Sequence, residues 1–180
     1  VWSAASTGKY PSKNGIRSAA MYGFGHGKPP IELLPDLCFA HALVHVGILR
    51  EVELHSSSLR AKPMWTILSS QRVPVGVVGW PLTAPADPLR GFLISDRFHR
   101  SATSPLGFTD EDLGYPSSAV LDARVLQQSG VSGGAARPAS LERPPLPRDA
   151  QYREVAAVLN NEFPPRLLAL RDEGLDRAGH

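Results

Sequence analysis

Near its C-terminus the chain reads Asp176-Arg177-Ala178-Gly179-His180, which sets a carboxylate and an imidazole four residues apart. On a helical turn residues i and i+4 share a face, so both side chains can reach one ion. An Asp oxygen and a His nitrogen are good zinc ligands, and two protein groups leave room for a third ligand and a substrate. Alone the spacing is a weak signal, because it arises often by chance as a helix-surface pair. His41 and His45 have the same spacing, but Ala42 stands where a metalloprotease helix carries Glu. They sit among Phe39, Leu43 and Val44, which favours packing or surface histidines. Gly23-Phe24-Gly25-His26-Gly27 lacks the Lys-Ser/Thr and the preceding strand of a phosphate cradle, so it reads as a flexible loop. Ser95-Asp96-Arg97 could orient a substrate or form a structural ion pair. Trp65 and Trp80 read as core residues rather than substrate platforms.

The elements that must hold these groups follow from hydrophobic patterning. Residues 1–7 resemble the last turns of a helix capped by Gly8, and 9–30, rich in Gly and Pro, should be irregular. Leu34-Pro35-Asp36 offers a helix start, after which Leu37, Ala40, His41, Val44, His45 and Ile48 recur at helical spacing. Ser58 can cap a helix over 59–68. The valine-rich run 73–79 is too short for a good helix and fits a buried strand of a largely parallel sheet. The proline-punctuated loop 80–88 leaves its end, 91–96 is a second strand, and 117–128 is a helix. Segment 130–147 is a Gly/Pro-rich surface insertion. Asp149 can cap a helix to about 160 that buries Tyr152, Val155, Ala156 and Leu159. A strand over 166–171 runs into the Asp176 motif, so that motif follows the carboxyl end of a strand, where open α/β sheets build their sites. The expected fold is α/β: an open, largely parallel sheet with helices on both faces.

Composition narrows the function. With 180 residues and 42% hydrophobic content, the chain can bury a core. A net charge of +2, with no Lys/Arg cluster, leaves no nucleic-acid-binding patch, and the sparse basic stretch 137–148 is a solvated loop. No apolar run is long enough to span a membrane. The single cysteine, Cys38, rules out an internal disulfide and a cysteine-based zinc knuckle without indicating a compartment. There is no initiator Met, and His180 closes the chain directly behind the motif, so it reads as an internal piece of a longer protein.

Gly174-Leu175-Asp176-Arg177-Ala178-Gly179-His180 resembles the aspartate–glycine–histidine segment of the type I phosphodiesterase/nucleotide pyrophosphatase branch of the alkaline phosphatase superfamily. Residues 2–16, from Trp2 through Thr7-Gly8, Pro11 and Asn14-Gly15-Ile16, are similar to that family's Thr-Gly, Pro, His-Gly-Ile stretch. Between them, 76–86 and 91–97 resemble its strand, proline loop and Ser-Asp-Arg in the same order. The likeness covers most of the chain except about 100–165.

The resemblance implies an alkaline phosphatase-like sheet incomplete at both ends, with 1–180 a partial phosphoesterase domain. It implies phosphoryl transfer at two divalent metal ions, zinc by ligand type, acting on a small-molecule phosphate ester. Asp176 and His180 match two ligands of one metal. The Ser/Thr nucleophile would lie just before Val1, which leaves no catalytic residue inside the chain, and Ser3, Ser6 and Thr7 fall past the attacking position. The isolated chain should therefore be inactive on phosphate esters. Asn14 replaces a family histidine that is not a metal ligand, so a local contact differs rather than the chemistry. A sulfatase or phosphonate hydrolase of the same superfamily is a close variant. The rival of another class is a truncated, non-catalytic α/β module. The Ala/Arg/Gly/Pro bias points to a GC-rich bacterial source.

Overall fold

The computed structural model of the chain describes residues 1–18, 20–24, 30–31, 39–102, 107–129 and 148–174. The chain divides into two compact units, Val1–Lys62 and Pro63–His180.

In the first unit, helix α1 (Trp2–Thr7) ends at Gly8, whose φ of 62° lets its N–H reach the Ala4 carbonyl. The stretch expected to be irregular instead holds helix α2 (Pro11–Asn14) and strand β1 (Met21–Phe24). Pro11 suits a helix start, where its missing N–H would have had no intrahelical partner. After helix α3 (Phe39–His45), β1 pairs antiparallel with strand β2 (Leu49–Val52), Met21 opposite Val52. Both strands are too short for a readable alternation, and their pairing joins segments distant in sequence. The proposed helix start at Leu34-Pro35-Asp36 lies outside the described residues. That helix also ends earlier than its spacing suggests, since Gly47 and Ile48 donate back to Val44 and Leu43 and close it. Asn14 is fully buried and ties α2 to α1. Its Nδ2 donates to the Lys9 carbonyl at 3.1 Å and faces the Ser3 and Thr7 hydroxyls at 3.5 Å, while its Oδ1 accepts from Ile16 N–H at 2.9 Å.

Ser58 does not cap a helix. Ser56–Ser58 form a 3-10 turn in which the Ser58 hydroxyl accepts from the His55 N–H. Pro63 disfavours helical backbone at Lys62, so the next helix starts only beyond that proline. It is α4 (Met64–Ser70), the first element of the second unit.

The second unit is built on a four-stranded sheet. Its strands are β3 (Val75–Trp80), β4 (Gly91–Ser95), β5 (Gly114–Tyr115) and β6 (Leu167–Leu170), in spatial order β5-β4-β3-β6. β3 runs parallel to both β4 and β6, with Val75 opposite Gly91 and Leu167. The short β5 is antiparallel to β4, so the sheet is mixed but mostly parallel. Every β3 side chain is buried, as its unbroken apolar run requires of a strand covered on both faces. Gly91 opens β4 at φ 120°, where an added Cβ would sit 2.1 Å from the Val75 carbonyl oxygen. Only glycine allows the two backbones to come together there.

Helix α5 (Asp110–Leu113) leads into β5, and the long helices α6 (Ser117–Ser129) and α7 (Arg148–Glu162) follow. Val78, Phe92 and Ile94 of the sheet pack with Val120 and Ala123 of α6 and with Tyr152, Val155, Ala156 and Leu159 of α7. The α7 residues are those its helical spacing marks for burial. Val75, Val77 and Leu93, which alternate to the opposite face, are buried too. The fold class is therefore α/β. The insertion at 130–147 lies outside the described residues.

Candidate functional site at the carboxyl edge of the sheet

Because β3, β4 and β6 are parallel, their carboxyl ends share one edge. Three segments leave the sheet there: Pro81–Pro88 after β3, Asp96–His99 after β4, and Arg171–Gly174 after β6. The start of α7 meets them. Polar groups gather at this edge because strands end and their backbone bonding ends with them.

The first cluster joins the β3 and β4 exits. Ser95 is fully buried, and its hydroxyl donates to the Asp112 carbonyl at 2.5 Å. The Thr83 hydroxyl donates to the Trp80 carbonyl at 2.6 Å and accepts from Asp96 N–H at 3.2 Å. Burial pushes the Asp96 carboxyl above the ordinary carboxylate range, although Arg97 and the N–H groups of Thr83, Asp96 and Leu82 pull it back. Leu82 turns the loop at φ 62°, a left-handed backbone that a branched-chain residue rarely adopts. Strained backbone of this kind gathers at binding and catalytic sites. Trp65 packs edge-on against Trp80 with ring centroids 5.6 Å apart, so both indoles act as core residues, as their sequence setting implies.

The second cluster joins the β4 exit to α7. Tyr152 lies in the core with its hydroxyl at the edge, donating to the Ser95 carbonyl at 3.0 Å and lying 3.2 Å from His99 Nδ1. Gly79 makes room for this ring, since a Cβ there would meet it at about 3.1 Å. Burial raises the Tyr152 pKa to about 12, with Arg148 opposing the shift. His99 moves the other way, to about 4: burial disfavours the imidazolium, and Arg148 and Arg100 repel it.

The third cluster fixes the exit of β6. The Asp149 carboxylate accepts from Glu173 N–H at 3.1 Å and Gly174 N–H at 2.6 Å. Burial alone would raise its pKa, but these two N–H donors and Arg148 outweigh that and hold it below the usual value. Arg148 pairs with Glu173, and Arg153 with Asp172 at 3.1 Å. Asp149, expected to cap α7, instead lies inside its first turn, since the helix already includes Arg148. It draws the last described residues of the chain onto the helix.

The anticipated metal ligands Asp176 and His180 lie outside the described residues, and so does most of Gly23-Phe24-Gly25-His26-Gly27. Among the described residues, no group of three or more His, Cys, Asp or Glu side chains could hold a metal ion. Asp172 and Glu173, the described carboxylates nearest the motif in sequence, are engaged by arginines. These side chains do not by themselves fit a two-metal centre. In the first unit, His45 is exposed at the end of α3. The Ser6 and Thr7 hydroxyls donate to the Ser3 carbonyl inside α1, which suits helix-internal residues better than nucleophiles. His99 and Thr83 went unmarked by sequence reasoning. The available signal was Tyr152, because a tyrosine buried by helical spacing still needs a partner for its hydroxyl.

Comparison with protein-family models, with curated proteins and with solved structures found no match to this chain. No described helix is long and apolar enough to cross a membrane.

Proposed function

We propose that this chain is part of a metal-dependent hydrolase of phosphodiesters or phosphomonoesters with an alkaline phosphatase-like fold, in which Asp176 and His180 are ligands to one of two zinc ions. One observation carries the reading. β3 and β6 pair in parallel, so the chain leaves β6 at the same edge as the Thr83–Asp96 cluster, and Asp149 holds Glu173 and Gly174 there. A motif two residues further along the chain is then close in sequence to the edge where open α/β sheets bind ligands. The resemblance of 174–180, 76–97 and 2–16 to one family, in the same order, supplies the chemistry. The Ser/Thr nucleophile would lie just before Val1.

The test begins with the coding DNA on both sides of this segment, where a Ser or Thr about two residues upstream and an Asp-His pair downstream are expected. The protein so completed is assayed on bis-p-nitrophenyl phosphate, with zinc measured by elemental analysis. Asp176→Asn and His180→Ala should each lower zinc occupancy and turnover together, by at least about 10- to 100-fold. Unchanged metal content in both variants would leave a non-catalytic α/β module as the better reading.

A further inference from the structure

The two ring nitrogens of His99 are in different situations. The Tyr152 hydroxyl has one proton, and it is directed to the Ser95 carbonyl at 3.0 Å. That oxygen, which also receives the His99 backbone N–H at 3.4 Å, lies 3.2 Å from His99 Nδ1 and offers an acceptor to a proton there. The Asp96 backbone carbonyl also accepts from the ring. With the proton on Nδ1, Nε2 keeps its lone pair, and His99 is only partly buried.

We propose that His99 is a lone-pair site at the carboxyl edge of the sheet: Tyr152 and Ser95 fix its proton on Nδ1, leaving Nε2 to accept a hydrogen bond from a ligand O–H or N–H or to attack an electrophilic acyl carbon. The charged surroundings keep that lone pair available. Burial, Arg148 on α7 and Arg100 beside the ring disfavour the imidazolium, whereas the Asp96 carbonyl and the Glu173 carboxylate beyond β6 favour it. The first group prevails, so the ring stays neutral well into acid. Tyr152 touches His99 and no ligand, so its role is positioning. Neither Asp176 nor His180 enters the argument, and the site stands or falls apart from the phosphoester reading.

Diethyl pyrocarbonate is the probe, applied to the full chain. Nε2 bonds to one carbonyl carbon, the anhydride C–O bond breaks, ethyl carbonate leaves, and the Nδ1 proton passes to solvent. Carbethoxylation of His99, followed by peptide mass spectrometry and corrected for reagent hydrolysis, should slow less than about twofold from pH 7 to pH 5. An imidazole of ordinary pKa would slow about 25-fold over that interval. Long-range 1H–15N spectra should show the Nδ1–H tautomer in the wild-type chain. Tyr152→Phe, which keeps the ring in the core, should lose that preference while the amide signals of β3 and β4 persist. A 25-fold slowing, an unmodified His99 at pH 7, or an Nε2–H tautomer in the wild type would each overturn the proposal, whether or not the variant folds.

Discussion

At the scale of single residues, burial in the second unit shifts the titration of His99 and Tyr152 in opposite directions. His99 is neutral at a pH where a free imidazole is half protonated, and the Tyr152 hydroxyl holds its proton up to about 12. Such shifts are also statements about stability. Between pH 6.5 and about 4 the unfolded chain binds a proton on His99 that the folded chain does not. The stabilisation associated with the neutral ring is therefore complete above the unfolded value near 6.5 and is lost as pH falls toward 4. Asp96, whose folded pKa is raised, pulls the other way at the acid end of this window. Comparing the wild type with His99→Gln removes the Asp96 contribution, which both share. We expect urea midpoints of the wild type to fall more steeply than those of the variant between pH 7 and pH 4.5. Parallel midpoints would mean that His99 titrates alike in the folded and unfolded chains. Asn14 illustrates the same economy without charge. Its amide is matched on both sides inside the first unit, so it is a satisfied buried group.

Among the elements, α7 carries the most information. Its buried stripe of Tyr152, Val155, Ala156 and Leu159 seats it on the sheet, while its first turn turns outward to the chain beyond β6. Asp149 is the hinge of that arrangement, because one carboxylate satisfies two consecutive backbone N–H groups. Charge-assisted bonds of this kind are stronger than neutral ones. Asp149→Ala should therefore destabilise the second unit by about 1–2 kcal/mol. The same change should raise the hydrogen-exchange rate of the Glu173 and Gly174 amides selectively. Amides in β3, paired within the sheet, should exchange as before. If Gly174 exchanges at the same rate in both proteins, the carboxylate does not hold that segment in solution.

For the whole molecule, the division at Lys62 has a concrete consequence. The core that joins Val78, Phe92, Ile94, Phe98 and Leu113 to α6 and α7 draws all its residues from the second unit. A fragment spanning 63–180 should fold alone and unfold in one cooperative urea transition with a retained near-ultraviolet signal. A broad transition with no near-ultraviolet signal would show that it needs the first unit. Much of this second unit was legible beforehand. The strand at 75–80 announced itself because a parallel strand buried on both faces must be apolar throughout, and those at 91–95 and 167–170 showed as short apolar runs. The helix at 148–162 showed itself through the helical spacing of Tyr152, Val155, Ala156 and Leu159. Each of these properties is recorded in neighbouring residues, and local sequence determines it. What tertiary structure alone decided depends on segments far apart in the chain. β1 and β2 are strands because they pair with each other, and β5 exists because β4 offers it an edge. His99 faces a hydroxyl that Tyr152, 53 residues further along, brings already committed to Ser95, and burial beside Arg148 disfavours its imidazolium. A hydrogen-bond chain of that kind has no period and no motif, since it is set only when the helix and the strand are packed together.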